Sequence, residues 1–182
     1  MRKILFLLLF AAAFIACSKD NDYDPSKHIN MIVVNHGATI ESSALSVIYD
    51  DGGTTFDLFQ EVNNRPLGEM ARSITYINGN YFVTLAGSKK VEVIEPQTFR
   101  SVATINFRDK AAPRFIQPIS RTEAIVSDVF MQLTRINTKN YTVVEYIDIT
   151  ETVGANIKEM ITVGNKLFCA IQDKGIGVFD TD

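Results

Sequence analysis

From about residue 28 onward, apolar residues come in short runs of four to seven, each bounded by turn-forming residues. Within the runs, apolar and polar positions alternate or the run is wholly apolar, which predicts β-strands. No 11-residue stretch of this region carries a convincing 3.6-residue period, so no helix is predicted. The runs recur. Segments ending in a turn at Ile94-Glu95-Pro96, Ile136-Asn137-Thr138 and Phe179-Asp180-Thr181 are spaced by 42 and 43 residues. Strand starts near Ala71-Arg72, Ala112-Pro113-Arg114 and Ala155-Asn156 are spaced by 41 and 43. A weaker earlier copy holds Ile32-Val33-Val34-Asn35 and Ser46-Val47-Ile48-Tyr49.

Each complete unit contains four strands. In one they are Arg72–Ile77, Tyr81–Leu85, Lys90–Ile94 and Phe99–Ile105; in the next, Arg114–Pro118, Glu123–Ser127, Met131–Ile136 and Tyr141–Ile147. Asn78-Gly79-Asn80 predicts a tight hairpin, because Asn and Gly tolerate positive φ. Four strands per unit of roughly 40–45 residues is the signature of a β-propeller blade. With strands named a to d from the axis outward, the first unit supplies b, c and d. The last supplies a (Ile157–Thr162), b (Lys166–Ile171) and c (Gly175–Phe179). The expected fold is therefore all-β: four-stranded antiparallel blades, about three and a half of them, over residues 28–182. Closed propellers have four or more blades. The simplest expectation is the N-terminal half of a longer, seven-bladed protein; closure by a second copy and an irregular four-bladed ring are the alternatives.

The first residues follow a different pattern. Arg2 and Lys3 precede an unbroken apolar run, Ile4–Ala16. The run is too short for a bilayer, which needs about 20 residues, and suits a secretory leader over residues 1–16. It ends in Phe14-Ile15-Ala16-Cys17, which resembles a bacterial lipobox: a small residue before a cysteine whose thiol takes a diacylglyceryl group. The expectation is lipidation at Cys17, with acyl chains holding the protein on a membrane at about 0.8 kcal/mol per buried methylene. Residues 17–27 are polar and acidic and read as a flexible tether. An acidic stretch behind the lipidated cysteine also resembles the surface-export signal of Bacteroidota lipoproteins.

Composition narrows the chemistry. The 182 residues carry a net charge of −3, with 46% hydrophobic and 21% charged residues. That describes a globular body without the basic face that nucleic acid requires. Cys17 and Cys169 do not make a disulfide framework, and Cys169, inside a strand, reads as a packed thiol. The two histidines, His28 and His36, fall short of a metal set, which needs three or four ligands at fixed spacing. No nucleophile motif, P-loop or dinucleotide fingerprint is present. Neither an enzyme nor a cofactor is expected.

The order of motifs Ile32-Val33-Val34-Asn35-His36-Gly37, Asn64–Ile74, Lys89–Ile105 and Ala112–Ile116 resembles the YVTN/YncE-like seven-bladed propellers that occur as Bacteroidota surface lipoproteins. That group includes a corrinoid-binding lipoprotein seated over the outer-membrane cobalamin transporter. The resemblance covers most of residues 30–182. It implies an outer-membrane, outward-facing lipoprotein that captures a small molecule, with a corrinoid (cobalamin) as leading ligand and a transporter as partner.

Topology says where such a ligand sits. The b–c and d–a loops emerge on one face around the axis. The candidate ligand residues there are Asn35, His36, Arg72, Lys89, Arg114, Asp128 and Phe130. They combine polar groups with an aromatic, the mixture a large amphipathic guest needs. Arg72 and Arg114 recur at equivalent positions, which also fits a structural role in pairing neighbouring blades. An adhesion or protein-interaction propeller, and an enzyme whose active site lies in a missing half, are the alternative functions.

Overall fold

A computed structural model describes residues 23–181 apart from 38, 40 and 41. The leader, Cys17 and most of the tether lie outside the described residues. Four antiparallel sheets follow one another along the chain. The first holds β1 (Ile29–Asn35), β2 (Ala44–Tyr49) and the two-residue β3 (Thr54–Thr55), followed by helix α1 (Leu58–Asn63). The second holds β4 (Ala71–Ile77), β5 (Asn80–Leu85), β6 (Lys90–Ile94) and β7 (Ser101–Asn106). The third holds β8 (Pro113–Pro118), β9 (Glu123–Asp128), β10 (Gln132–Asn137) and β11 (Thr142–Asp148). The fourth holds β12 (Ile157–Val163), β13 (Lys166–Ile171) and β14 (Gly175–Asp180).

Strand order within each sheet follows chain order, as expected of up-and-down blades. β4, β8 and β12 pack side by side as the innermost strands, and each also touches the second strand of the blade before it. β1 stands to β4 as β5 stands to β8. The first blade therefore supplies b, c and a rudimentary d, as the repeat predicts. The partial propeller is the fold.

Three apolar seams hold the blades together. Leu45, Val47, Leu58, Phe59, Leu67, Val83 and Leu85 fill the first. Phe82, Val91, Val93, Val126 and Ile136 fill the second. Ile125, Leu133, Ile157, Leu167 and Cys169 fill the third. Successive strand residues alternate between seams, so Phe82 faces one neighbouring blade and Val83 the other. Fully burying each Phe, Leu or Ile contributes about 1.5–3 kcal/mol.

The outer hairpins store strain. Phe99 and Tyr141 occupy equivalent positions with φ of 54° and 59°, a region costing a bulky residue about 1–2 kcal/mol. Both rings pack into seams, Phe99 in the first and Tyr141 against the second, which offsets that cost. Each turn is also tied by its own first residue. Glu95 accepts from the backbone N–H of Gln97 and Thr98, and Asn137 Oδ1 from those of Lys139 and Asn140.

One expectation is corrected. α1 was not predicted, because six residues are too few to display a period. Asp57 starts it, its side chain accepting from the Gln60 backbone N–H, and Leu58 and Phe59 plug the first seam. The helix stands where the first blade would otherwise continue its outer strand.

Candidate functional site

The loops of the predicted ligand face are stitched to one another by backbone hydrogen bonds. The Ala71 N–H donates to His36 O, Ala86 N–H to Met70 O, Phe107 N–H to Lys89 O, Ile149 N–H to Met131 O, and Gln172 N–H to Asn156 O. The b–c loops and the d–a segments therefore meet on one face, around the inner strands.

Several predicted ligand residues are committed to that stitching. The Asn35 side chain donates to Ser46 Oγ at 2.8 Å. His36 Nδ1 lies 2.9 Å from Ala71 O, and its carbonyl also accepts from Ser43 Oγ. Asp128 is buried, and its carboxylate accepts from the backbone N–H groups of Ala112 (2.5 Å) and Phe130 (2.7 Å). Burial pushes the Asp128 carboxyl above its ordinary value, against the opposing pull of those two N–H donors and Arg108. Asp128 is thus a loop clamp.

Others are free to meet a ligand. Phe130 is 57% exposed, at the tip of the loop Asp128 fixes. Lys89, at φ 51° and half-buried, reaches Asp109 at 3.4 Å. Arg72 is exposed. Arg114 is half-buried, with its guanidinium 5.5 Å from the centroid of the Phe115 ring, and its Nε is buried without a hydrogen-bond partner. The side chains of Arg72 and Arg114 form no ion pair with one another or with any described residue; Arg114 meets the preceding blade through its carbonyl, which accepts from Thr84 Oγ1.

Sequence reasoning missed two arrangements. Arg108 lies over the Tyr146 ring at 4.2 Å and donates from its side chain to Gln132, while its backbone N–H donates to the Tyr146 hydroxyl. Glu92, fully buried in β6, is surrounded by Arg65, Lys90, Ser101 and Thr104. Neither could be found from spacing, because equivalent positions carry different residue types: Lys90 and Glu92 in β6 correspond to Gln132 and Thr134 in β10, and Thr104 in β7 to Tyr146 in β11. Among the described residues no group of three or more His, Cys, Asp or Glu could hold a metal ion. No described helix is long and apolar enough to cross a membrane.

The family described as Domain of unknown function (DUF5074) matches residues 30–182. No curated protein matches the sequence. Among solved structures, the chain is similar to the WD40 β-propeller domain of Doa1, with a TM-score of 0.57 and 11% identity over 77% of this chain and 46% of that one. It is similar to a Bacteroides caccae protein of unknown function, with a TM-score of 0.53 and 11% identity over 76% and 56%. It is also similar to the dihydro-heme d1 dehydrogenase NirN in complex with DHE, with a TM-score of 0.58 and 11% identity over 86% and 36%. At such identity these likenesses show the fold alone. The chain spans about half the length, or less, of the propellers it matches.

Proposed function

This chain belongs to the DUF5074 family, and we propose from that starting point that it is a binding propeller, not a catalyst. Its ligand is received on the face carrying the b–c and d–a loops. The leading ligand is a corrinoid, captured at the outer membrane by a protein anchored through Cys17 and passed to a transporter. The observation that carries the reading is the division of labour on this face. Asn35, His36 and Asp128 hold the strands and loops, while Phe130 and Arg72 are left exposed beside them and Lys89 is half-buried, reaching Asp109. A rigid loop frame presenting an aromatic and several cations can take a large guest with an apolar ring system and a polar rim.

The test is an absorbance titration of the full chain with cyanocobalamin. Saturable binding at micromolar concentration, weakened by Phe130→Ala, is expected; no spectral change at 100 μM protein, on the order of a hundred times the expected dissociation constant, overturns the corrinoid assignment. Membrane anchoring is checked by fractionation: Cys17→Ala is expected to move the protein from the membrane pellet to the soluble fraction.

A further inference from the structure

The innermost strands share a local irregularity. Each is bulged against its neighbour, between Ala71 and Ser73 in β4, Pro113 and Ile116 in β8, and Ile157 and Met160 in β12. In every case a buried residue comes first (Ala71, Pro113, Ile157) and a cation second: Arg72, Arg114, Lys158. A bulge re-aims the side chains it carries and is a recurrent device at binding sites.

Two hydroxyl relays set these bulges at the same height. Thr84 Oγ1 accepts from the Ser73 N–H at 3.1 Å and donates to the Arg114 carbonyl at 2.6 Å. One blade further on, Ser127 Oγ accepts from the Phe115 N–H at 3.3 Å and donates to the Lys158 carbonyl at 3.4 Å. The same bond is made twice between the second strand of one blade and the first of the next. The three cations are thereby carried to equivalent positions on three adjacent inner strands.

None of the three side chains makes a hydrogen bond or an ion pair with any described residue. Arg72 is exposed, Arg114 and Lys158 are half-buried, and Arg114 Nε is shielded from water with no acceptor. A buried, unpaired guanidinium N–H carries a desolvation cost that an incoming acceptor would recover. Glu159 is the one acidic residue within the same bulges; its counterparts, Ser73 and Phe115, are uncharged. In a chain whose net charge is −3, unpaired cations repeated at the axis are not a background of surface lysines.

We propose that Arg72, Arg114 and Lys158 form a collar at the mouth of the propeller axis that binds an oxyanion, a phosphate or carboxylate group of the ligand. Guanidinium groups suit such groups because their N–H forks match the paired oxygens. The proposal deepens the reading of this face as the ligand face and rests on it. Phosphate and carboxylate share this chemistry, and the test separates them.

The full chain is titrated calorimetrically with inorganic pyrophosphate and, separately, with citrate. Saturable binding of at least one is expected, weakening as sodium chloride is raised because the contacts are partly solvated. The anion that binds more tightly identifies the group. Each of Arg72→Gln, Arg114→Gln and Lys158→Gln is expected to weaken binding several-fold and the triple variant by more than tenfold. Lys139→Gln, on the opposite rim, is expected to leave it unchanged. The triple variant is expected to melt close to the parent, since its side chains make no hydrogen bond or ion pair and lose only the contact of Arg114 with the Phe115 ring. Equal binding by parent and triple variant, absence of saturable binding by both anions, or a triple variant that fails to fold each overturns the proposal. Cyanocobalamin serves as a separate arm. If it fails to bind while pyrophosphate or citrate binds through the collar, the corrinoid assignment falls and the collar stands. If both anions fail, the collar falls whatever cyanocobalamin does.

Discussion

Glu92 offers the sharpest test of how this fold is held, because its carboxylate is fully buried yet surrounded by donors. Arg65 Nη2 lies 2.6 Å from one oxygen and Lys90 Nζ 2.9 Å from the other. Ser101 Oγ donates at 2.5 Å and Thr104 Oγ1 approaches both oxygens at 3.2 and 3.3 Å. Arg65 belongs to the segment that climbs from α1 to Arg72, so the cluster pins that segment to the second blade. Substituting Glu92→Gln removes the charge and strands two cations beside a neutral amide. Breaking a buried ion pair by removing one partner costs about 3–5 kcal/mol. Because the amide still accepts from Ser101 and Thr104, the low end, about 3 kcal/mol, applies. In a domain of this size that lowers Tm by roughly 6–12 °C.

The pH dependence has a definite sign. Burial by itself would raise the Glu92 carboxyl, but hydrogen bonds from Arg65, Ser101 and Lys90 outweigh it and hold the group below its ordinary value of 4.5. A folded-state value below the unfolded one contributes stability that is fully present above 4.5 and is lost as pH falls through the folded value. The chain has no tryptophan, so melting is followed by far-ultraviolet circular dichroism, in parent and variant, from pH 7 down to 3. The gap between them is expected to be constant above about pH 5 and to close below it. A variant melting within a degree of the parent at pH 7 would show that the cluster contributes nothing net. The paired replacement Arg65→Met with Glu92→Leu checks the cause: an apolar pair of similar volume is expected to regain much of the loss.

Two further outcomes follow from buried groups. Asp128→Ala leaves the N–H groups of Ala112 and Phe130 without their acceptor, and is expected to cost about 2–4 kcal/mol. Asp128→Asn keeps an acceptor oxygen and is expected to cost less than half as much, in the same denaturation assay. The Asp128 carboxyl is raised above its ordinary 3.8 by burial, so its charged form opposes folding. That penalty is absent at low pH and develops as pH rises through the folded value, and carboxyl NMR titration measures it directly. The Cys169 thiol is buried in the third seam and pushed up to about 11. In a Cys17→Ser background it is expected to ignore a disulfide reagent at pH 8 until urea unfolds the chain; rapid reaction in the native state would mean that the seam opens.

The strands were legible because each blade repeats the same alternation, and seams filled by Phe82, Val126 and Leu133 require it. Strand ends were less legible for a local reason. Phe99, Met131 and Tyr141 look like strand residues by composition, yet each has positive φ and belongs to the turn before its strand. α1 was hidden because Leu58-Phe59 presents the same two apolar residues to a seam that a strand would. At the candidate site, the repeat identified Arg72 and Arg114 but passed over Lys158, for two reasons. Lysine replaces arginine there, and the step lengthens from 42 to 44 residues through the loop before β12. Hydrogen-bond commitments were beyond any pattern: nothing in the sequence around Asp128 says that its carboxylate is consumed by Ala112 and Phe130. A repeated fold thus separates two kinds of polar residue. Those that satisfy backbone groups repeat only where the bond itself repeats, as Thr84 and Ser127 do and Asp128 does not. Those left unpaired at one height on successive inner strands, Arg72, Arg114 and Lys158, are the groups proposed to meet a ligand.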